Sequence, residues 1–231
     1  MGESHSRAGA YLRLSRVSNL PTVWTNVLAG IVITGSPVVT SVFLRLSIAV
    51  SLMYTAGMFL NDAFDVPFDS VHRRDRPIVA GVVRRTEVFT IGFLLLGAGL
   101  LAIGWSQAMM WGFVLAAAIV YYDRRHKHDA LAPIVMGMCR GLVYCVAASA
   151  TAGVRTRVVV AAVVLTLYVV ALTSVAKRVG QRAGVLIPLL VAGISLVDAV
   201  FILAAGSGAL ALLAVSAFVA TLALQRVVAG T

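Results

Sequence analysis

The sequence predicts an all-α polytopic membrane protein, a bundle of about eight transmembrane helices around a central cavity. Three observations carry this expectation. Of the 231 residues, 60% are hydrophobic and 12% charged, with a mean hydropathy of +0.96, values outside the range of soluble domains. Apolar runs of about twenty residues, the length needed to cross a bilayer core, recur through the whole chain. The basic residues fall in the gaps between those runs.

Eight spans follow in order, at roughly 18–37, 42–66, 87–105, 108–123, 132–152, 158–176, 184–204 and 207–226. The first is apolar from near Leu20 to about Ile33 and meets no small-x-small cleavage site, so it reads as a span and not as a cleaved signal. The second ends in an acidic segment. The fourth is short for a span, the fifth contains Arg140, and the seventh contains Asp198. A chain threaded this way leaves no room for a soluble domain, and residues 1–231 read as one transmembrane domain with short loops.

Charge sorting supports an even number of spans. One side receives Arg7, Arg13, Arg16, Arg73, Arg74, Arg76, Arg84, Arg85, Arg124, Arg125, Lys127, Lys177, Arg178, Arg182 and Arg226, fifteen of the nineteen basic residues. The other side receives Arg45, Arg155 and Arg157, while Arg140 is intramembrane. The positive-inside rule then expects both termini in the cytoplasm. The net charge of +10 does not point to nucleic acid, because the basic residues form no independent soluble face. Cys139 and Cys145 share one apolar segment without metal-ligand spacing and read as small buried side chains.

The most informative segment is Asn61 to Pro77, NDAFDVPFDSVHRRDRP, which holds Asp62, Asp65, Asp69 and Asp75, four of only nine acidic residues. On an ideal helix Asn61, Asp65 and Asp69 lie at about 0°, 40° and 80°, with Asp62 at about 100°. The four side chains share one sector, although Pro67 can kink the helix between Asp65 and Asp69. A carboxylate near a bilayer costs roughly 2.5–3.5 kcal/mol on insertion scales, so a cluster there points to a functional site. It is a bed of hard oxygen ligands suited to Mg²⁺ carrying a phosphorylated substrate.

The N-D-x-x-D-x-x-x-D pattern, followed by Arg76-Pro77-Ile78-Val79-Ala80-Gly81, strongly resembles the first aspartate-rich motif of the UbiA superfamily of intramembrane prenyltransferases. Tyr122 to Lys127 (YDRRHK), Gly137 to Gly141, and Arg16 with Asn26 extend the resemblance over about two-thirds of the chain. It implies a Mg²⁺-dependent enzyme, similar to 4-hydroxybenzoate polyprenyltransferase, that ionises a polyprenyl diphosphate and passes the prenyl group to a small acceptor. An aromatic ring is the expected acceptor; a tetrapyrrole propionate or a sugar phosphate would also serve. Asp62, Asp65 and Asp69 are implied as metal ligands and, with Lys127, as catalytic residues. Asn61, Arg16, Asn26, Arg73, Arg76, Tyr122, Arg140 and Lys177 are implied to line the diphosphate site. Membrane lipid is the only further partner expected.

The pattern departs from the family at Ala171 to Arg178, ALTSVAKR, where a second acidic motif is expected and no acid stands. Either Lys177 takes the place of a magnesium ion, or the chain binds prenyl lipids without turning them over. The first reading is preferred, since the whole first cluster is retained. A terpene cyclase on the same fold and a transporter are the remaining alternatives; no internal repeat supports the latter.

Several single residues have two readings. Asn26 can contact substrate or bond a neighbouring helix. Arg140 can line the diphosphate pocket or snorkel to the interface. Tyr122 can face a carbocation or sit in an aromatic belt. Arg73, Arg74, Arg124 and Arg125 can grip phosphate or simply face water. Asp198 reads as a helix–helix hydrogen bond or a protonated packing group, near the outer leaflet and away from the site. His126 and His128 have no partner cluster for a metal, and Asp123 and Asp129, six apart, do not share a helix face.

Overall fold

The computed structural model describes residues 6–127, 129–179 and 184–228; His128 and Arg182 of the sequence reading lie outside them. Among the described residues the chain is helical throughout. Helix α1 (Arg7–Ser15) begins at Ser6, whose hydroxyl accepts the Gly9 N–H at 3.1 Å, so a helix-start donor is satisfied. A 3₁₀ turn at Val17–Asn19 leads into α2 (Leu20–Val32), with Pro21 in its first turn, where its missing N–H costs nothing. Then come α3 (Thr40–Phe64), α4 (Val66–His72), α5 (Arg85–Ile103), α6 (Gln107–Arg125), α7 (Ala132–Ser149) and α8 (Thr156–Val179). The seventh pass is split into α9 (Leu186–Ala192) and α10 (Ile194–Ala204) before α11 (Gly208–Gln225).

These helices occupy the eight segments that hydropathy marks. Six passes, those of α3, α5, α7, α8, α9–α10 and α11, are long and apolar enough to cross a membrane by themselves, and the protein is a multi-pass membrane protein. The two others differ for physical reasons. Helix α6 runs to Arg125, beyond the expected 123, and its polar last turn dilutes its hydropathy. Helix α2 has 13 residues, about 20 Å of helix against a core of about 30 Å. It needs no lipid-facing length, because eleven of those residues are buried, with α3, α7, α10 and α11 around it.

Two apolar clusters share α2 and α7. One joins them to α3, α5 and α6 through Val27, Met53, Leu60, Leu115 and Val146. The other joins them to α8, α10 and α11 through Leu28, Tyr144, Leu165 and Ile202. Leu94, Leu101, Leu167 and Leu212 are exposed, as outward side chains in lipid should be.

Three local devices fix the frame. The break between α3 and α4 falls where Pro67 cannot donate to the carbonyl four residues back, that of Ala63. Arg85 Nε donates to that oxygen instead, at 2.8 Å. The kink expected at Pro67 is therefore a capped break, and Arg85 holds it. At the opposite end Arg45 donates to the last carbonyl of α5, that of Ile103. Where the seventh pass divides, the Tyr168 hydroxyl donates to Leu190 O at 2.8 Å.

Helices α7 and α8 approach each other at glycine. A methyl group on Gly137 would lie 2.6 Å from Thr166 O, and one on Gly141 would lie 2.9 Å from Ala162 O. Both obstacles are backbone, so a side chain cannot push past them; this is small-residue packing in a membrane bundle. Gly97 on α5, by contrast, has nothing within 4 Å. Gly141→Val is expected to lower the unfolding temperature in detergent, by overpacking worth about 1–3 kcal/mol, whereas Gly97→Ala leaves it unchanged. Equal unfolding curves for Gly141→Val and the parent would show that α7 and α8 are not in backbone contact.

Candidate active site

Alternation of the passes brings the end of α3, α4, the end of α6 and the start of α2 to one end of the bundle. Four carboxylates meet there from three elements. Asp62, Asp65, Asp69 and Asp123 are 5%, 8%, 2% and 3% exposed. Asp75 is exposed and stands apart.

Each buried carboxylate solves its desolvation differently. Asp62 lies between two guanidinium groups, Arg16 at 3.3 Å and Arg76 at 3.4 Å. Arg16 reaches it from a left-handed backbone, φ 46° and ψ 41°, a conformation that costs a non-glycine residue about 1–2 kcal/mol. The turn that carries this strain also places the Arg16 side chain against Met58 and Asp62 on α3. Asp65 is held on both oxygens, with His126 Nε2 at 3.3 Å from one and Lys127 Nζ at 3.0 Å from the other. The His126 ring stacks on Tyr122 with centroids 5.0 Å apart, and the Lys127 ammonium lies over the Phe68 ring at 4.2 Å. Burial by itself would raise the Asp65 pKa; the hydrogen bonds and charges of His126 and Lys127 outweigh it and hold the carboxyl below its usual range.

Asp69 and Asp123 are less well served. Burial, reinforced by the charge of Asp65, pushes the Asp69 carboxyl up, against Arg76, Lys127 and Arg73. One oxygen of Asp69 and one of Asp123 are buried without a hydrogen-bond partner among the described residues. The other Asp123 oxygen accepts from Asn61 Nδ2 at 3.3 Å. These bare oxygens are hard donors and fit a small divalent cation. No three carboxylate, histidine or cysteine side chains among the described residues converge closely enough to hold an ion alone, because Asp62 and Asp65 are turned onto basic groups. Two concavities, of about 740 and 510 Å³, lie beside Arg7, Arg84 and Glu87 and beside Tyr121, Arg124 and Arg125. Neither is beneath the carboxylates, where Arg16, Arg76 and Lys127 fold across the mouth.

Of the residues proposed from sequence, Asn61, Asp62, Asp65, Asp69, Arg16, Arg76, Tyr122 and Lys127 come together. Arg73 and Arg74 are exposed, and Arg74 Nε donates to Ser70 O near the end of α4. Lys177 is exposed on the last turn of α8 and makes no ion pair among the described residues. Asn26 and Arg140 belong to a deeper group: Arg140 Nη1 donates to Asn26 Oδ1 at 3.0 Å, and Asn26 Nδ2 donates to Asp198 at 2.8 Å. Cys139 and Cys145 are free thiols.

Sequence reasoning missed His126 and Asp123. Weighed only against Asp129, Asp123 escapes notice, although it stands four residues before Lys127 in the Tyr122–Lys127 segment. No spacing rule marks His126, because adjacent helical residues do not share a face; α6 ends at Arg125, and His126 and Lys127 beyond it both reach Asp65.

A sequence model described as the UbiA prenyltransferase family matches residues 21–229. Among curated proteins, digeranylgeranylglyceryl phosphate synthase of Methanopyrus kandleri is 32% identical over 129 residues, 55% of this chain and 47% of that one. Its counterpart from Ignicoccus hospitalis is 32% identical over 122 residues, 52% of this chain and 39% of that one. The match thus spans less than half the length of these relatives. A solved structure concerned with digeranylgeranylglyceryl phosphate synthase in membranes superposes with a TM-score of 0.60 at 18% identity, covering 96% of this chain and 95% of that one. The apo structure of a UbiA homologue from Aeropyrum pernix K1 gives 0.58 at 15% identity, covering 92% and 94%. Both likenesses concern the fold.

The grip on Asp65 has a measurable consequence. A carboxyl whose pKa is depressed stays ionised to lower pH, and losing a cationic partner moves its protonation upward. In Lys127→Met the protonated-carboxyl infrared band of Asp65, assigned by its loss in Asp65→Asn, is expected at higher pH than in the parent. A band that does not move would mean that Lys127 is not the partner of Asp65.

Proposed function

Because the chain belongs to the UbiA prenyltransferase family, we propose that it is an intramembrane prenyltransferase that ionises a polyprenyl diphosphate and transfers the prenyl group to an acceptor. Residues 1–231 act as one transmembrane domain in this reading. The observation that carries it is the meeting of four buried carboxylates with Arg16, Arg76 and Lys127 at one end of a lipid-embedded bundle.

Charge counting supports a divalent cation. Asp62 and Asp65 alone use most of the positive charge of Arg16, Arg76 and Lys127, while a diphosphate brings two to three further negative charges. Asp69, with its bare oxygen, would hold Mg²⁺ together with Asp62 and Asp65 once phosphate draws Arg16, Arg76 and Lys127 away from those two. Bound there, the ion supplies charge neutralisation to the leaving diphosphate.

The chain's own groups do the rest. Arg16 and Arg76 present planar forks to phosphate oxygens, and Lys127 adds a point charge. The allylic C–O bond breaks with its electron pair leaving on the diphosphate, whose growing charge these cations stabilise. The carbocation needs water-poor surroundings, which the apolar side chains of the bundle favour, and the half-buried Tyr122 ring is the proposed aromatic stabiliser. A nucleophile then closes on the allylic carbon and loses its proton.

The relatives' printed name specifies a prenylated glyceryl phosphate, so a glyceryl phosphate hydroxyl replaces an aromatic ring as the proposed acceptor. The basic excess at the site end supports a cytoplasmic site and cytoplasmic termini. A second reading, a prenyl-lipid-binding protein without turnover, is favoured by one feature: no acid stands at 171–178 and exposed Lys177 does not replace it.

In micelles with geranylgeranyl diphosphate and an acceptor, diphosphate release is expected to require Mg²⁺ and to fall about 10³-fold in Asp65→Ala. Lys177→Ala should stay within about twofold of the parent, as exposed side chains away from a site usually do. Binding of the prenyl diphosphate with no release, whatever acceptor is supplied, would select the non-catalytic reading.

A further inference from the structure

A second polar station lies inside the bundle, away from the carboxylate mouth. Asp198 on α10 is fully buried and accepts four hydrogen bonds: from the Thr25 hydroxyl at 2.5 Å, from Asn26 Nδ2 to both oxygens at 2.9 and 2.8 Å, and from the Tyr144 hydroxyl. Its lone pairs are used up, so it has no capacity for a ligand. The amide of Asn26, also fully buried, is used at both ends, because its oxygen accepts from Arg140.

The chain of bonds therefore ends on Arg140, and Arg140 is not saturated. Only one of its N–H donors is engaged among the described residues; otherwise its guanidinium lies over the Tyr54 ring at 5.4 Å. It is half-buried, and it touches α2 through Asn26 and α3 through Tyr54. Its remaining donors have no hydrogen-bond partner among the described residues. Tyr54 precedes Asn61 by seven residues on α3, so the guanidinium sits roughly 10 Å deeper than the mouth. A cation at that depth is costly unless something anionic meets it, and Asp198 does so only across an intervening amide.

We propose that Asp198 and Asn26 are positioning residues that aim Arg140 as the anchor for an anionic group of the acceptor, distinct from the mouth that takes the donor diphosphate. The proposal rests on the prenyltransferase reading above and deepens it: the acceptor is a lipid bearing a phosphate or carboxylate, held with its nucleophile towards the mouth. Both anions suit the guanidinium fork, and the phosphate is the form tested.

The experiment compares geranylgeranylglyceryl phosphate with geranylgeranylglycerol as acceptors, geranylgeranyl diphosphate being the donor, in the parent, Arg140→Gln, Arg140→Lys and Asp198→Asn. The parent is expected to show a lower KM for the phosphorylated acceptor. Arg140→Gln should shrink that preference about tenfold or more, the scale of a charged hydrogen bond. Arg140→Lys should restore part of it. Asp198→Asn should raise the KM for the phosphorylated acceptor with little change in kcat or in the donor KM, a split that a merely destabilised fold would not give. An unchanged preference in Arg140→Gln, or a rise in the donor KM instead, overturns the proposal while leaving the transferase reading intact. If neither acceptor is prenylated, the glyceryl phosphate acceptor of the proposed function fails. Calorimetric binding of the two lipids then decides the anchor: tighter binding of the phosphate, lost in Arg140→Gln, supports it, and equal binding sinks it.

Discussion

Charge compensation in a lipid-embedded bundle is the constraint on which the rest of this structure depends. A carboxylate or guanidinium removed from water costs several kcal/mol unless an opposite charge or a full set of hydrogen bonds receives it. The chain meets that demand twice. At the mouth it pairs charges directly, Asp62 with Arg16 and Arg76, and Asp65 with His126 and Lys127. In the interior it uses neutral donors, surrounding Asp198 with Thr25, Asn26 and Tyr144. Direct pairs can be exchanged when another anion arrives, whereas a saturated carboxylate cannot. The first arrangement suits a site that must admit phosphate, and the second suits a scaffold.

The frame that delivers these groups depends on backbone interruptions. Pro67 ends the long helix just after Asp65, Arg85 takes the carbonyl that the proline leaves, and Asp69 turns into the cluster from α4. Arg16 reaches Asp62 from a left-handed turn between α1 and the 3₁₀ turn that precedes α2. Local strain at both places is offset by ion pairs and hydrogen bonds made by the same residues, so geometry and electrostatics cannot be altered separately.

The bundle was legible in the sequence because apolar length and basic gaps are properties of single segments. The first carboxylate set was legible for the same reason: Asn61, Asp62, Asp65 and Asp69 lie within nine residues, and helical periodicity joins them. What could not be read were groups assembled from distant segments. Asn26, Tyr144 and Asp198 stand on three helices, and no spacing rule links them; the sequence reading of Asp198 as an interhelical hydrogen bond found its kind but not its partners. Lys177 shows the converse limit, since its position near a helix end suggested a role that its exposed placement does not support. Helix α2 was drawn too long because a buried core helix and a lipid-spanning one share an apolar composition.

The interposed amide between Asp198 and Arg140 decides what the inner station can do. At an effective dielectric of about 20, unit charges about 4 Å apart attract by about 4 kcal/mol, and at roughly 7 Å by about 2 kcal/mol. A direct ion pair would gain the larger figure, but it would occupy two guanidinium donors and turn the fork towards α10. Through Asn26 the attraction is weaker, the orientation is still set by hydrogen bonds at both ends of the amide, and the remaining donors stay available. A cation held this way is stable enough to fold with and hungry enough to bind. Direct pairing at the mouth and relayed pairing inside are thus two answers to one cost, separated by whether the charge is meant to be exchanged or to be aimed.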